Sequence, residues 1–360
     1  MNAEIAIIGA GPIGLACGIA LQERLPAATT VLFERGPLCA TLQDFPTNMT
    51  FFSTAGLLGL GPYPFSSSQA KPTRAEALAY YAAVAQQAQL NIQQHSPVTH
   101  VSYAPTSSSH DPENCQAAPL PAHPPQWTVS YSQQGQQAEL RSQAVIVATG
   151  FYQKPVRLRV PGEELPHVSH YYREAWQHAH QDVVIVGGAN SAVIAALECC
   201  RAGARVHVVH RRSALAPGVK YWLAPDFQNR IAEGSISISW ESNVTAIEPG
   251  CVHIQSPHGQ RVLPAQSVLV LTGYRSDYAM LRRFGVQLDP ENRPLVDHDS
   301  LEAAGKPGLF LAGGVLCGDH TGSRFIENGR LDAEQIADTL ARRWKHKTSQ
   351  TDRPHGREPA

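Results

Sequence analysis

The sequence predicts an α/β protein of two Rossmann-like, three-layer ββα dinucleotide-binding domains, the second inserted into the first. Three observations carry this. A glycine-rich strand–turn–helix opens the chain at Ile5 to Gly14, and a second begins at Val183. A late apolar strand and turn, Gly308 to Gly314, then follows the second unit. A βαβ pattern that restarts implies a second parallel sheet rather than an extension of the first. The expected division is 1–160 and 281–344 for the first domain, 161–280 for the inserted one, and 345–360 for a flexible polar tail.

In chain order, strand Ile5–Ile8 leads into a helix of about Ile13 to Glu23 and a strand Thr30 to Glu34. A helix from Arg74 to about Leu90 opens on the capping-box pattern Thr73-x-x-Glu76. The stretch from Ala104 to Gln126, rich in Pro, Ser, His and Gln, reads as a long loop between strands near Thr99–Ser102 and Trp127–Tyr131. Ala144–Val147 is a buried-type strand ending in Ala148-Thr149-Gly150, and Val268–Leu271 repeats that form before Thr272-Gly273. The last helix is expected over about Asn328 to Arg343.

With 360 residues, 43% hydrophobic and 16% charged, the chain has the composition of a globular protein with two real cores. A net charge of −1 gives no support to nucleic-acid or acidic-membrane binding. The seven cysteines form no CxxC pair and no metal-ligand spacing, and an odd count without a framework suits a reducing cytoplasm. The apolar run Ile5 to Leu21 lacks a basic leader and is broken by Gly9, Gly11, Pro12 and Gly14. No other stretch approaches the length of a membrane span.

The two fingerprints differ in what they would hold. In the first, Gly9 permits the turn, Gly11 lets backbone approach a pyrophosphate at the helix N-terminus, and Gly14 lets helix pack on strand. Pro12 and Ile13 open that helix. Glu34 ends the second strand in a carboxylate that accepts from both ribose hydroxyls and repels a 2′-phosphate, hence FAD or NAD. In the second, Gly187 and Gly188 make the turn, Ala189 and Ala192 replace the later glycines, and Asn190 and Ser191 open the helix with extra donors. The following strand ends in His210-Arg211-Arg212, whose guanidinium forks match a 2′-phosphate and so favour NADPH. Lys220 is expected beside that site. Thr149, Gly150, Gly313, Gly314 and Thr321 are expected beside the first cofactor, with the last helix turning its positive end toward it.

The order of FAD fingerprint, Ala-Thr-Gly, NADPH fingerprint, His-Arg-Arg and late Ala-Gly turn resembles the low-molecular-weight thioredoxin reductase superfamily. Phe45-Pro46-Thr47-Asn48-Met49-Thr50-Phe51-Phe52-Ser53-Thr54, Lys71-Pro72-Thr73-Arg74, Val168-Ser169-His170-Tyr171-Tyr172-Arg173, Val219-Lys220-Tyr221-Trp222 and Phe325-Ile326-Glu327-Asn328-Gly329-Arg330 narrow the likeness to YpdA-type flavoproteins. That resemblance implies FAD, NADPH and reduction of a low-molecular-weight disulfide such as bacillithiol disulfide, without a CxxC pair. The family's cysteine after Gly-x-Gly-Pro is Ile13 here, which cannot form a mixed disulfide. Cys39 is the expected substitute, Cys317 a further candidate, and His170 the expected proton donor or hinge. Two other readings stay open: a cysteine-independent flavin reductase serving a protein, quinone or oxygen, and a flavin-bearing redox sensor. The expected partner is a small-molecule or small-protein electron acceptor, and the chain is expected to work as a homo-oligomer.

Overall fold

The computed structural model describes residues 3–104 and 126–351. In the first part of the chain the strands are β1 (Ile5–Ile8), β2 (Thr30–Phe33), β3 (Ile92–Gln93), β4 (Val98–Ala104), β5 (Gln126–Gln133), β6 (Gln136–Ser142) and β7 (Ala144–Val147). The middle part adds β8 (Val168–Ser169), β9 (Asp182–Val186), β10 (Arg205–Val209), β11 (Ile236–Ser239), β12 (Asn243–Glu248), β13 (Gly250–Ser256), β14 (Gly259–Ala265) and β15 (Ser267–Val270). The last strand is β16 (Leu309–Leu311).

These strands form two five-stranded sheets, β16-β7-β1-β2-β3 and β11-β10-β9-β15-β8, all of whose pairs are parallel. Every residue of β1 and β7 is buried, as expected where both faces of a parallel sheet are covered. Two three-stranded antiparallel sheets, β4-β5-β6 and β12-β13-β14, supply the second layer of each lobe. Strand β6 was not anticipated. It follows β5 through Gln134-Gly135, both at positive φ, the tight turn suited to a two-residue hairpin.

One core joins residues from Ile5 to Val147 with Tyr278 to Leu340, and it includes β16, which pairs with β7. Two further clusters lie within the middle of the chain, and Leu158, Val160 and Leu165 pack against one of them. The segment that follows Gly150 therefore already packs with the second lobe.

Three boundaries differ from the sequence reading. The first helix runs Pro12–Arg24, with Pro12 in the first turn, where its missing N–H costs nothing. The capping box at Thr73 and Glu76 forms, but that helix ends at Gln87 because Gln89 turns left-handed. The last helix spans Ile326–Thr351, past the expected end near Arg343, because no proline or glycine follows Arg343 before Pro354. The expected loop, apart from its flanking ends, and residues 352–360 of the expected tail lie outside the described residues.

Candidate functional site

At the first turn the three glycines are held to three different standards. Gly9 sits at φ +108°, and a Cβ there would lie 2.6 Å from the Ala148 carbonyl oxygen. A Cβ on Gly14 would fall 1.9 Å from the Gly9 carbonyl oxygen, so helix and strand touch backbone to backbone. A Cβ on Gly11 would meet nothing within 4 Å. Open space thus faces the first helix's N-terminus, as an anion-binding turn requires. The Glu34 carboxylate, buried at the end of β2, accepts from Ala10 N–H (2.9 Å) and Gly36 N–H (3.1 Å).

The expected partners across the sheet gather at the same turn. Thr149 holds a buried hydroxyl with no protein partner, next to Gly150 at the end of β7. Ile13 packs against Gly313, where a Cβ would stand 2.8 Å from Ile13 Cγ1, and the Phe151 ring covers Gly314 at 2.6 Å on the same measure. Gly313 N–H donates to Asp332 Oδ2 (2.7 Å), and Arg324 pairs with the same carboxylate. Asp332 is a site-building residue that the sequence did not reveal, because it lies a full helical turn inside the last helix. Thr321 lies in the turn that precedes this helix. Ser53 donates to Glu327 Oε2 (2.5 Å), joining two of the segments that carry the family resemblance.

The cysteines near this turn are enclosed. Cys39 is 2% exposed, with its Sγ 3.6 Å from the Ala10 carbonyl. Burial first, and then the Glu34 charge, push its thiol well above the ordinary range. That is the opposite of the electropositive, accessible setting of a reactive thiolate. Cys17 is likewise raised by burial and Asp332, and Cys317 is also buried. The free cysteines among the described residues form no disulfide.

At the second turn a Cβ on Gly187 would approach both the Leu271 carbonyl oxygen (2.5 Å) and the Ala192 Cβ (2.9 Å). Ala192 therefore fills the place a third glycine would leave empty. The His210 ring lies directly over Gly188, within 2.5 Å of where a Cβ would stand. Its Nε2 donates to the Ala214 carbonyl (3.1 Å), and burial, with smaller contributions from Arg212 and Arg211, holds the imidazole below its ordinary pKa. The buried ring shapes the turn by covering Gly188.

Asn190 opens its helix as expected, and its side chain does more. Its amide donates to the Gly218 carbonyl (2.9 Å) and accepts from Lys220 N–H (3.0 Å), so it ties down the 211–220 loop. Ser191 at the start of that helix is exposed, as are Arg211 and Arg212 at the end of β10. The Lys220 Nζ lies 5.0 Å above the Phe52 ring of the first lobe. Lys71 returns the contact, lying 3.9 Å above the Trp222 ring of the second lobe. Each lobe thus gives one cation and one ring to a reciprocal clasp.

His170 ends β8 between the lobes, its Nε2 3.2 Å from Arg157 Nη1 and 3.5 Å from Glu163 Oε1. Burial, then the Arg157 charge, lower its pKa. Tyr274 donates to the His170 carbonyl (3.1 Å), and Tyr152, Tyr171 and Tyr274 stack together at this crossing with centroids 4.3–5.7 Å apart. Tyr171 stood out in the sequence beside His170, but its stacking with Tyr152 and Tyr274 did not, because the three rings come from separate segments.

Residues 6–109 and 128–313 match the family described as pyridine nucleotide-disulphide oxidoreductase. The chain is similar to the bacilliredoxin reductase Bdr of Bacillus subtilis (strain 168), with 31% identity over 94% of this chain and 98% of that one. Among solved structures it is similar to the bacillithiol disulfide reductase Bdr (YpdA) from Bacillus cereus: TM-score 0.86, 32% identity, covering 95% of this chain and 100% of that one. The Staphylococcus aureus protein of the same name gives a TM-score of 0.84 at 29% identity, covering 95% and 99%.

Proposed function

The chain belongs to the pyridine nucleotide-disulphide oxidoreductase family, in its Bdr (YpdA) branch, and from that premise we propose that it is an NADPH-dependent FAD oxidoreductase reducing a small disulfide such as bacillithiol disulfide. The observation that carries this is the pairing of two built glycine turns with strand ends of opposite charge, Glu34 against Arg211 and Arg212. The first turn fits a flavin dinucleotide: Gly11 faces open space, Glu34 stands where ribose hydroxyls are bound, and Thr149 has a hydroxyl to give. Bound there, FAD would supply two-electron chemistry, accepting hydride from the nicotinamide and delivering the pair to the acceptor.

The protein's own work is placement. Backbone N–H groups of the first turn hold the pyrophosphate, with Pro12 fixing the helix start and Gly14 bringing the helix close. Gly313, Gly314 and Thr321, backed by Asp332 and the last helix, border the flavin. Gly187, Gly188 and Ala192 form the nucleotide turn, Arg211 and Arg212 hold the 2′-phosphate, and Asn190, His210 and Lys220 fix the loop that carries them. Residues 1–160 and 281–344 are assigned to the flavin domain and 161–280 to the nucleotide domain, with Leu158 and Val160 reaching across to pack on the latter.

The burial of Cys39, together with Ile13 at the family's cysteine position, favours turnover that uses no enzyme thiol. On that reading Cys39 is a packing residue and His170 a hinge residue. The decisive experiment starts with purified protein, which is to be yellow and to bleach with NADPH under anaerobic conditions. Bacillithiol disulfide then restores the colour, at an unchanged rate in Cys39→Ser. Colourless protein that binds no added FAD overturns the reading, and loss of reoxidation in Cys39→Ser returns the thiol to the mechanism. No helix among the described residues is long and apolar enough to cross a membrane. A cytoplasmic homo-oligomer is the setting we assign, and light scattering tests the assembly.

A further inference from the structure

Away from both turns, on the antiparallel sheet of the second lobe, three donor atoms converge. Glu248 ends β12, and Cys251 lies opposite it on β13 across the Pro249-Gly250 turn. His253 is two residues further along β13, so it shares a face with Cys251. Val252 and Ile254, on the other face, are 0% exposed. The central strand of this sheet is thus anchored from beneath, and its Cys-x-His pair stands on fixed backbone. The three donor atoms all lie within 4.8 Å of one another.

The separations match a chelate. Cys251 Sγ is 3.8 Å from His253 Nε2, which is 3.4 Å from Glu248 Oε1. Tetrahedral zinc, with bonds of about 2.3 Å to sulfur and about 2.0 Å to nitrogen and oxygen, sets these separations at about 3.5 and about 3.3 Å. The arrangement also excludes a nucleophilic relay. There, thiol and acid occupy opposite ring nitrogens, the acid orienting the ring through Nδ1. Here both converge on Nε2, and one proton on that nitrogen cannot serve both. The neighbouring strand puts Pro264 beside Cys251 and Val262 beside His253, neither of which carries a side-chain donor or charge.

We propose that Glu248, Cys251 and His253 bind one zinc ion, a site distinct from both dinucleotide turns. A thiolate in the set selects zinc over magnesium or calcium, and three protein ligands leave a fourth position for water. Binding takes the Cys251 thiolate and releases its proton to solvent, with no change of oxidation state. The sequence reading found no metal-ligand spacing because two ligands lie only two residues apart and the third comes from across a hairpin.

The test uses the whole chain, stripped of metal by dialysis against a chelator and titrated with zinc chloride in a calorimeter. One zinc per chain is expected, and X-ray absorption at the zinc edge is to show a single sulfur neighbour. Cys251→Ser and His253→Ala are each expected to weaken binding by at least about tenfold, and Glu248→Gln by less. All three changes lie on a solvent-facing strand surface, and matching circular dichroism confirms that the variants fold. Zinc without a sulfur neighbour, undiminished binding in Cys251→Ser, or no binding at all overturns the proposal. None of these measurements needs NADPH turnover, so the zinc site and the proposed activity stand or fall separately.

Discussion

Gly11 and Gly14 are three residues apart and make opposite predictions. Gly14→Ala would drive a methyl group into the Gly9 carbonyl, so that variant is expected to lose more than about 3 kcal/mol or fail to fold. Gly11→Ala meets no protein atom; it should melt near the parent temperature yet retain far less flavin, read from the visible absorbance of purified protein. Equal flavin content in Gly11→Ala and parent would argue against a pyrophosphate at this turn. On the other dinucleotide, Arg211→Ala with Arg212→Ala should raise KM for NADPH by about a hundredfold while barely moving that for NADH, since each charge-assisted bond contributes roughly 1.5–3 kcal/mol. A parallel rise for both nucleotides would refute the phosphate assignment. The two glycine turns were legible in the sequence because their backbone geometry is local. The side-chain partners of Asn190 were not legible, because they lie 28 and 30 residues further on, something no local pattern reports.

Between the first and last helices, packing depends on absent side chains. A Cβ on Gly329 would come within 3.1 Å of Gly313 Cα and 3.2 Å of Ile13 Cδ1. Ile13 therefore does what a cysteine could not do as fully: it fills the gap between the first helix and the late turn. Gly329→Ala should cost about 1–3 kcal/mol by overpacking, and Ile13→Ala in the same chain should recover part of that loss. Denaturant melts of the four-member mutant cycle give the coupling, and strictly additive effects would mean the two residues do not share this space. Parallel strands such as β1 and β7 could be read directly, since burial on both faces leaves an unbroken apolar run. Strand β6 could not, because Gln136-Gln137-Ala138-Glu139-Leu140-Arg141-Ser142 buries only Leu140 and Ser142 and is held by its hairpin partner.

For the whole molecule, acid should act unevenly. His170, His178, His207 and His210 all lie in the 168–210 segment, and burial is the first cause of the lowered pKa in each; His207 falls to about 4. Their folded pKa values lie below the unfolded value, so the unfolded chain binds more protons. The stability these groups contribute is complete above about pH 6.5 and is lost as pH falls toward 4, with about 2 kcal/mol from the half-buried His207 alone. Calorimetry between pH 7 and 5 should show the second lobe's transition falling first, and His207→Gln should flatten that dependence. A slope indifferent to His207→Gln would remove it as the cause. The nesting of one lobe in the other was legible because the βαβ pattern restarts. The clasp was not, since Phe52 and Lys71 stand well over a hundred residues from Lys220 and Trp222. Its geometry has a mechanical consequence. Both cation–ring contacts are short-ranged and bridge the same two segments, with the Phe52 and Trp222 rings 6.0 Å apart, so a motion that separates the lobes stretches both together. Lys220 also links this joint, through its own N–H bond to Asn190, to the mouth of the nucleotide turn.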